Sequence, residues 1–182
     1  MDLPEFKEFG KIGRLSRDVV VTEKIDGTNG VVYVGEDGQV LAGSRSRWIV
    51  PLADNFGFAA WVEKNAEDLR AGLGPGYHYG EWWGSGIGRR YGVPDKRFSL
   101  FNVARWSETR PACCLVVPVL YAGPFDTRNI DEALARLAAS GSLAAPGFMK
   151  PEGIVVYHRH SNTLFKKTVE RDDEPKSMTA TA

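Results

Sequence analysis

The pattern of apolar and polar residues predicts a chain made mainly of short strands. Residues 19–24 begin with three consecutive valines, which is typical of a buried strand, and end in a polar cluster. Residues 30–34 and 39–42 flank an Asp37-Gly38 pair, the sequence signal of a tight turn, and so predict a hairpin. Further strands are predicted at 77–84, 97–104, 114–121, 154–157 and 163–168.

Two segments have the spacing of amphipathic helices. Residues 54–73 predict one long helix that ends near Gly72. A second helix is predicted to begin at Asn129, with Glu132 completing a capping box, and to stop near Gly141. A lead-in at 4–17 is expected to pack its apolar side on the domain, and the polar residues 170–182 are expected to be a disordered tail.

Composition indicates one well-cored domain, placed at residues 1–169, in a chain of 182 residues. The hydrophobic fraction is 43% and the formal net charge is zero, so no global field favours nucleic acid or membrane, although a local basic face would be enough to bind nucleic acid. Cys113 and Cys114 are adjacent in an apolar run and are interpreted as reduced core residues, since they match no zinc spacing. The acidic start is not a signal peptide, and no apolar stretch is long enough to span a membrane, so a cytoplasmic location is expected.

Lys24 is the first candidate for chemistry, because it ends the valine-rich strand, where a solvated ammonium is unusual. A lysine amine is a nucleophile once it has lost its proton, and nearby cations favour that neutral form. Gly27 would let the backbone approach a bulky anion, and Thr28 and Asn29 offer donors beside it. A surface lysine before a turn is the alternative, and it is favoured if no nucleotide pocket accompanies the motif.

Other candidates lie at the ends of later predicted strands. Arg45 and Arg47 alternate after the hairpin, where they suit either phosphate oxygens or structural ion pairs. Glu81 lies between glycines and beside two tryptophans, an arrangement suited to gripping ribose hydroxyls. Phe101 is either a core residue or a platform for a purine ring.

The last two candidate groups are a carboxylate and a pair of cations. Glu152 precedes a strand and is a candidate Mg²⁺ ligand, since Mg²⁺ favours carboxylate and phosphate oxygens together. Lys166 and Lys167 end the final strand, where either could bind the anion that meets Lys24. The glycine-rich run at 84–90 lacks the phosphate-loop ending and is interpreted as a flexible loop whose arginines could touch substrate.

In order along the chain, these motifs resemble the set found in covalent nucleotidyltransferases, which include ATP-dependent ligases and messenger-RNA capping enzymes. The motifs are Lys24-Ile25-Asp26-Gly27, Ser44-Arg45-Ser46, Gly80-Glu81-Trp82-Trp83-Gly84, the 98–103 segment, Glu152-Gly153-Ile154-Val155 and Phe165-Lys166-Lys167. The Thr-Glu-Lys-x-x-Gly-Thr-Asn opening and the Gly-Glu-Trp-Trp-Gly-x-Gly-Ile segment are most similar to phage-type RNA ligases. The resemblance covers residues 19–168 and implies an α+β domain in which two antiparallel sheets enclose a nucleotide cleft, with helices outside.

The resemblance also implies roles for individual residues. Lys24 would attack the α-phosphorus of ATP and become lysyl-AMP, and the AMP would pass to an RNA 5′-phosphate that a 3′-hydroxyl then attacks. Glu152 would hold Mg²⁺ or Mn²⁺. The other implied contacts are Glu23 and Gly27 with the nucleotide, Arg45 with the adenylate or 5′-phosphate, Asn29 with the RNA steps, Glu81 with ribose, Phe101 with adenine, and Lys166 or Lys167 with the α-phosphate.

Three features depart from the family's pattern. Phe101-Asn102 stands where the family has an aromatic-Asp pair, and Lys166-Lys167-Thr168 stands where it has Lys-x-Lys. The sequence after the last motif is too short for the barrel or helical domain that relatives carry there, so a separate protein could supply it. The prediction is an ATP-dependent RNA ligase of a bacterial or phage-infected cell; the alternatives are a minimal DNA ligase and a domain that binds nucleotide or single-stranded RNA without ligation.

Overall fold

A computed structural model of the chain describes residues 4–170 and residue 172. The strands are β1 (Asp18–Lys24), β2 (Thr28–Val34), β3 (Val40–Gly43), β4 (Trp48–Ile49), β5 (Gly76–Gly84), β6 (Lys96–Leu100), β7 (Cys114–Val116), β8 (Val119–Pro124), β9 (Gly153–His158) and β10 (Thr163–Thr168). The helices are α1 (Phe58–Lys64), α2 (Ala66–Leu73), α3 (Val103–Trp106) and α4 (Thr127–Ser140). The tail predicted at 170–182 lies almost entirely outside the described residues.

The first sheet has four antiparallel strands in the order β10-β9-β1-β8. One face of this sheet is buried under α4, because Val19 and Val21 of β1 and Ile154 of β9 pack against the apolar stripe of that helix. Alternation along β1 places Lys24 on the opposite face. That second face is the one available for a site.

The second sheet has six strands in the order β4-β3-β2-β5-β6-β7. Its largest core lies on the face covered by α1 and α2, where Phe58, Leu69, Trp82 and Phe98 are buried together. The predicted α+β fold with two sheets is confirmed. The second sheet is not wholly antiparallel, however, since β7 pairs in parallel with β6 at its edge.

The chain crosses between the two sheets twice, once after β1 and once before β8. Ile25 and Val117 of the two crossings are buried in a third cluster with Trp83, Tyr91 and Ala145. This cluster, here called the junction, fixes the end of β1 against the end of β5. The motif at Lys24 therefore lies where the sheets meet.

Two predicted elements are divided in the structure. The helix predicted at 54–73 is two helices, because the Asn65 side chain donates to the Trp61 carbonyl at 2.7 Å and competes with the helical ladder. The strand predicted at 114–121 breaks at Pro118, which has no N–H for a ladder, and its halves join different sheets.

Three further boundaries differ from the predictions. The strand predicted at 97–104 ends at Leu100 and is followed by α3. The N-cap of α4 is Asp126, which accepts from the Arg128 amide at 2.9 Å, and the predicted cap Asn129 lies inside the helix; the stop at Gly141 is confirmed. The apolar side chains of the lead-in, Phe6, Phe9, Ile12 and Leu15, are exposed, so the prediction that they pack on the domain is wrong.

Cys113 and Cys114 are free thiols, with Cys114 buried as predicted and Cys113 partly exposed. Within residues 4–170, no helix is both long and apolar enough to cross a membrane.

Candidate active site

Lys24 is the last residue of β1 and pairs with Gly153, the first residue of β9. This pairing brings the residue before β9 next to the lysine, and the Lys24 Nζ lies 2.5 Å from Glu152 Oε2. The Glu152 residue is only 4% exposed, whereas Lys24 is partly exposed. The amine is therefore held by a buried carboxylate and remains partly exposed to solvent.

Glu81 reaches the same place from the second sheet. Its Oε1 accepts from the Gly27 amide at 3.0 Å, and its Oε2 accepts from the Asn29 side chain at 3.4 Å. Burial raises the pKa of the Glu81 carboxyl to about 7, with Glu152 and Asp26 adding to the rise and Lys24 and the Gly27 amide opposing it. Both predicted carboxylates thus lie within electrostatic reach of the predicted nucleophile.

Gly27 lies where the crossing from β1 packs against β5. A Cβ at this position would overlap the Trp82 carbonyl oxygen and would lie 2.8 Å from Trp83 Cβ. Only glycine fits this approach. The lack of a side chain was predicted to let a bulky anion approach the backbone. In the structure it lets the neighbouring strand β5 approach.

Glu23 is buried on the other face of β1, with 1% of its surface exposed. Its carboxylate accepts from the Ser142 hydroxyl at 2.5 Å and from the backbone amides of Leu143 and Ala144 at 2.8 and 3.0 Å. These contacts anchor the segment that follows α4. They give Glu23 a structural role, and its predicted contact with the nucleotide stays a prediction without geometric support.

The strand register separates the two lysines of β10. Lys166 pairs with Val155, which pairs with Thr22, two residues before Lys24 on the same face. Lys167 pairs with Ile154 on the α4 face, and its Nζ lies 2.6 Å from Asp131 of α4. Lys166 is therefore the lysine that shares a face with Lys24.

Phe101 follows β6, and its amide donates to the Tyr79 carbonyl at 2.9 Å. Phe98 and Leu100 point into the core, so alternation places Phe101 on the same face as Glu81. Its ring is 40% exposed, which favours the platform over the core interpretation. Asn102 caps α3 by accepting from the Arg105 amide at 3.1 Å, an interaction that aspartate would make equally well.

Arg45 is exposed in the turn that joins β3 to β4, close in register to the start of β2, where Asn29 lies. Asn29 pairs with Glu81 across the ladder as well as through its side chain. The predicted phosphate contacts of both residues stay predictions.

Sequence reasoning missed the role of Asp26, Arg89 and Tyr91. The Asp26 amide donates to the Tyr91 hydroxyl at 2.8 Å, and its carboxylate lies 3.8 Å from the Arg89 guanidinium. Arg89 also donates to the Lys150 carbonyl at 3.2 Å, which ties the glycine-rich loop to the segment leading to Glu152. The sequence signal for these contacts was weak. It consisted of the arginine pair that ends the glycine-rich run and the tyrosine that follows it, and the run was interpreted as a flexible loop.

The described residues contain no group of three or more His, Cys, Asp and Glu side chains placed to hold a metal ion. The Glu152 carboxylate fits a Mg²⁺- or Mn²⁺-type ion, which takes one protein carboxylate and completes its coordination shell with phosphate oxygens and water. It does not fit a metal enclosed by protein ligands alone.

Comparison with known protein families shows the family to which the chain belongs. The family described as RNA ligase matches residues 17–169, which include the lysine, both glutamates and the β10 lysines. The chain belongs to the RNA ligase family. A comparison with curated protein sequences finds no match.

Solved structures of Naegleria gruberi RNA ligase have the same fold. One variant with ATP and Mn aligns at a TM-score of 0.65 and 20% identity over 86% of this chain and 51% of that one. A variant with AMP and Mn aligns at a TM-score of 0.59 and 19% identity over 84% and 49%. The chain of this RNA ligase family member therefore spans about half the length of these structures.

Proposed function

We propose that this chain is the adenylyltransferase unit of an ATP-dependent RNA ligase, which joins an RNA 5′-phosphate to a 3′-hydroxyl through lysyl-AMP and RNA-adenylate. The observation that carries the proposal is the convergence, at the junction of two sheets, of the Lys24 amine, the buried Glu152 carboxylate and Glu81. The Naegleria gruberi structures with ATP, AMP and Mn support a nucleotide and a divalent ion as its cofactors.

In the first step, the Lys24 nitrogen forms a bond to the α-phosphorus of ATP as the bond to the β-phosphate oxygen breaks. Pyrophosphate leaves with that electron pair. The Glu152 carboxylate, 2.5 Å from the amine, orients it and accepts its proton. Lys166, on the same sheet face, stabilises the charge that develops on the α-phosphate.

Glu81 and Phe101 bind the nucleoside in this proposal. The Glu81 carboxyl accepts from ribose hydroxyls, and the exposed Phe101 ring stacks on adenine. Glu152 is also the residue that would hold Mg²⁺ or Mn²⁺, whose positive charge would neutralise the phosphates when bound. Arg45 and Asn29 contact the RNA 5′-phosphate from the neighbouring strand ends.

Incubation with α-labelled ATP and Mg²⁺ tests the first step. We expect label to become covalently attached to the wild-type chain and to be absent from Lys24→Ala. Lys64→Ala, which changes an exposed lysine of α1, is the matched control and should label normally. An unlabelled wild-type chain, or labelled Lys24→Ala, contradicts the proposal.

The RNA preference needs a separate measurement, with the adenylated chain offered 5′-phosphorylated single-stranded RNA and nicked duplex DNA. Transfer of AMP to RNA is expected. Transfer to nicked DNA alone would favour a DNA ligase. The predicted partner that supplies a C-terminal domain and the cytoplasmic location stay predictions.

A further inference from the structure

The second sheet carries a row of aromatic rings, most of them exposed, on the face that holds Glu81. The row, here called the aromatic ladder, consists of Trp48, Tyr33, Tyr77 and Tyr79. Trp48, Tyr77 and Tyr79 are 51 to 56% exposed. None of these residues belongs to the nucleotide contacts proposed above.

The ladder is a built arrangement, because the rings are fixed by strand register. Tyr77 pairs with Tyr33 across β5 and β2, with ring centroids 4.8 Å apart. Tyr77 and Tyr79 are two residues apart on β5, and their ring planes differ by only 14° at a centroid distance of 6.3 Å. Trp48 lies across Gly43, where a Cβ would come within 3.3 Å of its ring.

Alternation along β5 makes the ladder continuous with the candidate active site. Tyr77, Tyr79 and Glu81 occupy successive positions on one face, while His78, Gly80 and Trp82 face the helix-covered core side. The Phe101 amide donates to the Tyr79 carbonyl, so the proposed adenine platform lies next to the ladder. An extended ligand that reaches Lys24 can therefore continue over these rings.

The charges beside the ladder indicate an anionic ligand. Arg45 and Arg47 precede Trp48 in the turn from β3 to β4 and are exposed. Residues 39–53 contain no aspartate or glutamate. Neither arginine forms an ion pair among the described residues.

Stacked rings next to exposed guanidinium groups match the chemistry of single-stranded nucleic acid, whose bases stack on aromatic faces while phosphates meet cations. A paired duplex presents its base faces to its own neighbours and offers no such contact. An apolar protein surface would gain nothing from the unpaired arginines. We propose that the aromatic ladder binds unpaired nucleotides of the RNA that is joined at Lys24, an inference that rests on the proposed function.

Binding of a 5′-phosphorylated, unpaired oligoribonucleotide to the full chain, followed by fluorescence anisotropy, tests the ladder. Tyr77→Ala and Trp48→Ala are each expected to weaken binding about 5- to 150-fold, the range for loss of one stacked base. Tyr77→Leu keeps an apolar side chain without a ring face and should weaken binding similarly, whereas Tyr77→Phe should bind like wild type.

The matched control is Phe165→Ala, which removes an exposed ring from the α4 face of the other sheet and should leave binding unchanged. Thermal unfolding of each variant shows that it is folded. Tyr77→Phe and Tyr77→Leu keep the comparison decisive where an alanine variant is unstable, because they differ in stacking and both keep a large apolar side chain.

Labelling with α-labelled ATP, measured on the same variants, separates this inference from the proposed function. Normal labelling together with RNA binding that is insensitive to Tyr77→Leu and Trp48→Ala overturns the ladder and leaves the ligase proposal intact. Ring-dependent RNA binding by a chain that never becomes labelled supports the ladder as a surface for unpaired RNA, but contradicts the ligase proposal and with it the joining of that RNA at Lys24. The same variants are also measured with duplex RNA. If they lose as much affinity for duplex RNA as for unpaired RNA, the assignment to unpaired nucleotides is overturned.

Discussion

Burial raises the pKa of the Glu81 carboxyl to about 7 from its ordinary value of 4.5, and this makes stability depend on pH. Between these two pH values the folded chain binds more protons than the unfolded chain, so the free energy of unfolding falls as pH rises. The stabilising contribution is complete below the unfolded-state pKa and is lost as pH rises through the folded-state value. The loss amounts to about 3 kcal/mol.

We therefore expect Glu81→Gln to flatten the pH dependence of stability. Urea unfolding at about pH 5 and about pH 8 should show a smaller difference in the variant than in wild type, because glutamine has no proton to lose. The exposed Glu108→Gln is the control and should retain the wild-type difference. If Glu81→Gln showed the same difference in the free energy of unfolding between the two pH values as wild type, other groups would be the cause of that difference.

Substitutions of the two lysines of β10 should have different effects on labelling by ATP. Lys166→Ala is expected to slow lysyl-AMP formation by about 100-fold, because it removes a cation from the face of Lys24. Lys167→Ala should label nearly normally, since this lysine is paired with Asp131 on the α4 face. Its exposed ion pair contributes less than about 1 kcal/mol to stability. The reverse order of effects would contradict the assignment from register.

At the scale of elements, the two faces of β1 have different roles. Lys24 faces the site, and Glu23, one residue earlier, holds the segment after α4 through three hydrogen bonds. The strand end is thereby fixed from behind by a contact between residues about 120 positions apart. The position of the proposed nucleophile, Lys24, depends on that contact.

Glu23→Ala is expected to lower the free energy of unfolding by about 3 kcal/mol, because it leaves buried donors of Ser142, Leu143 and Ala144 without their acceptor. Glu23→Gln retains one acceptor oxygen and should lose less. Thermal unfolding measures both, with the exposed Glu36→Ala as control. Reduced ATP affinity in Glu23→Gln at unchanged stability would instead support the predicted nucleotide contact.

At the scale of the whole molecule, the two sheets are packed together at the junction, where the chain crosses from one sheet to the other. Gly27 lies at one crossing, and the junction residues Ile25, Trp83 and Val117 are buried around it. The proposed catalytic groups come from both sheets. Their relative placement therefore depends on this packing.

Gly27→Ala is expected to destabilise the chain by about 1–3 kcal/mol and to abolish labelling by ATP, because its Cβ would overlap the backbone of β5. Gly10→Ala is the control, since a Cβ there meets nothing within 4 Å. Thermal unfolding and the labelling assay together measure the effect. Wild-type stability and labelling in Gly27→Ala would show that the crossing tolerates a wider separation of the sheets.

The sequence by itself determined the local features. The valine run of β1, the Asp37-Gly38 turn, the C-terminal stop of α4 and the ordered motifs depend on residues close together in the chain, where steric preference and turn chemistry act directly. It also supplied the family resemblance and the candidate residues. The predicted helix boundaries were wrong where side chains such as Asn65 or Asp126 changed the backbone hydrogen bonding.

Only the tertiary structure decided which candidates share a face. The pairing of β1 with β9, more than a hundred residues later, brought Glu152 to Lys24 and separated Lys166 from Lys167. It also assigned Glu23 to a buried anchor. Since a shift of one residue in register moves every side chain to the opposite face, these placements depend on long-range pairing and burial, which no local pattern encodes.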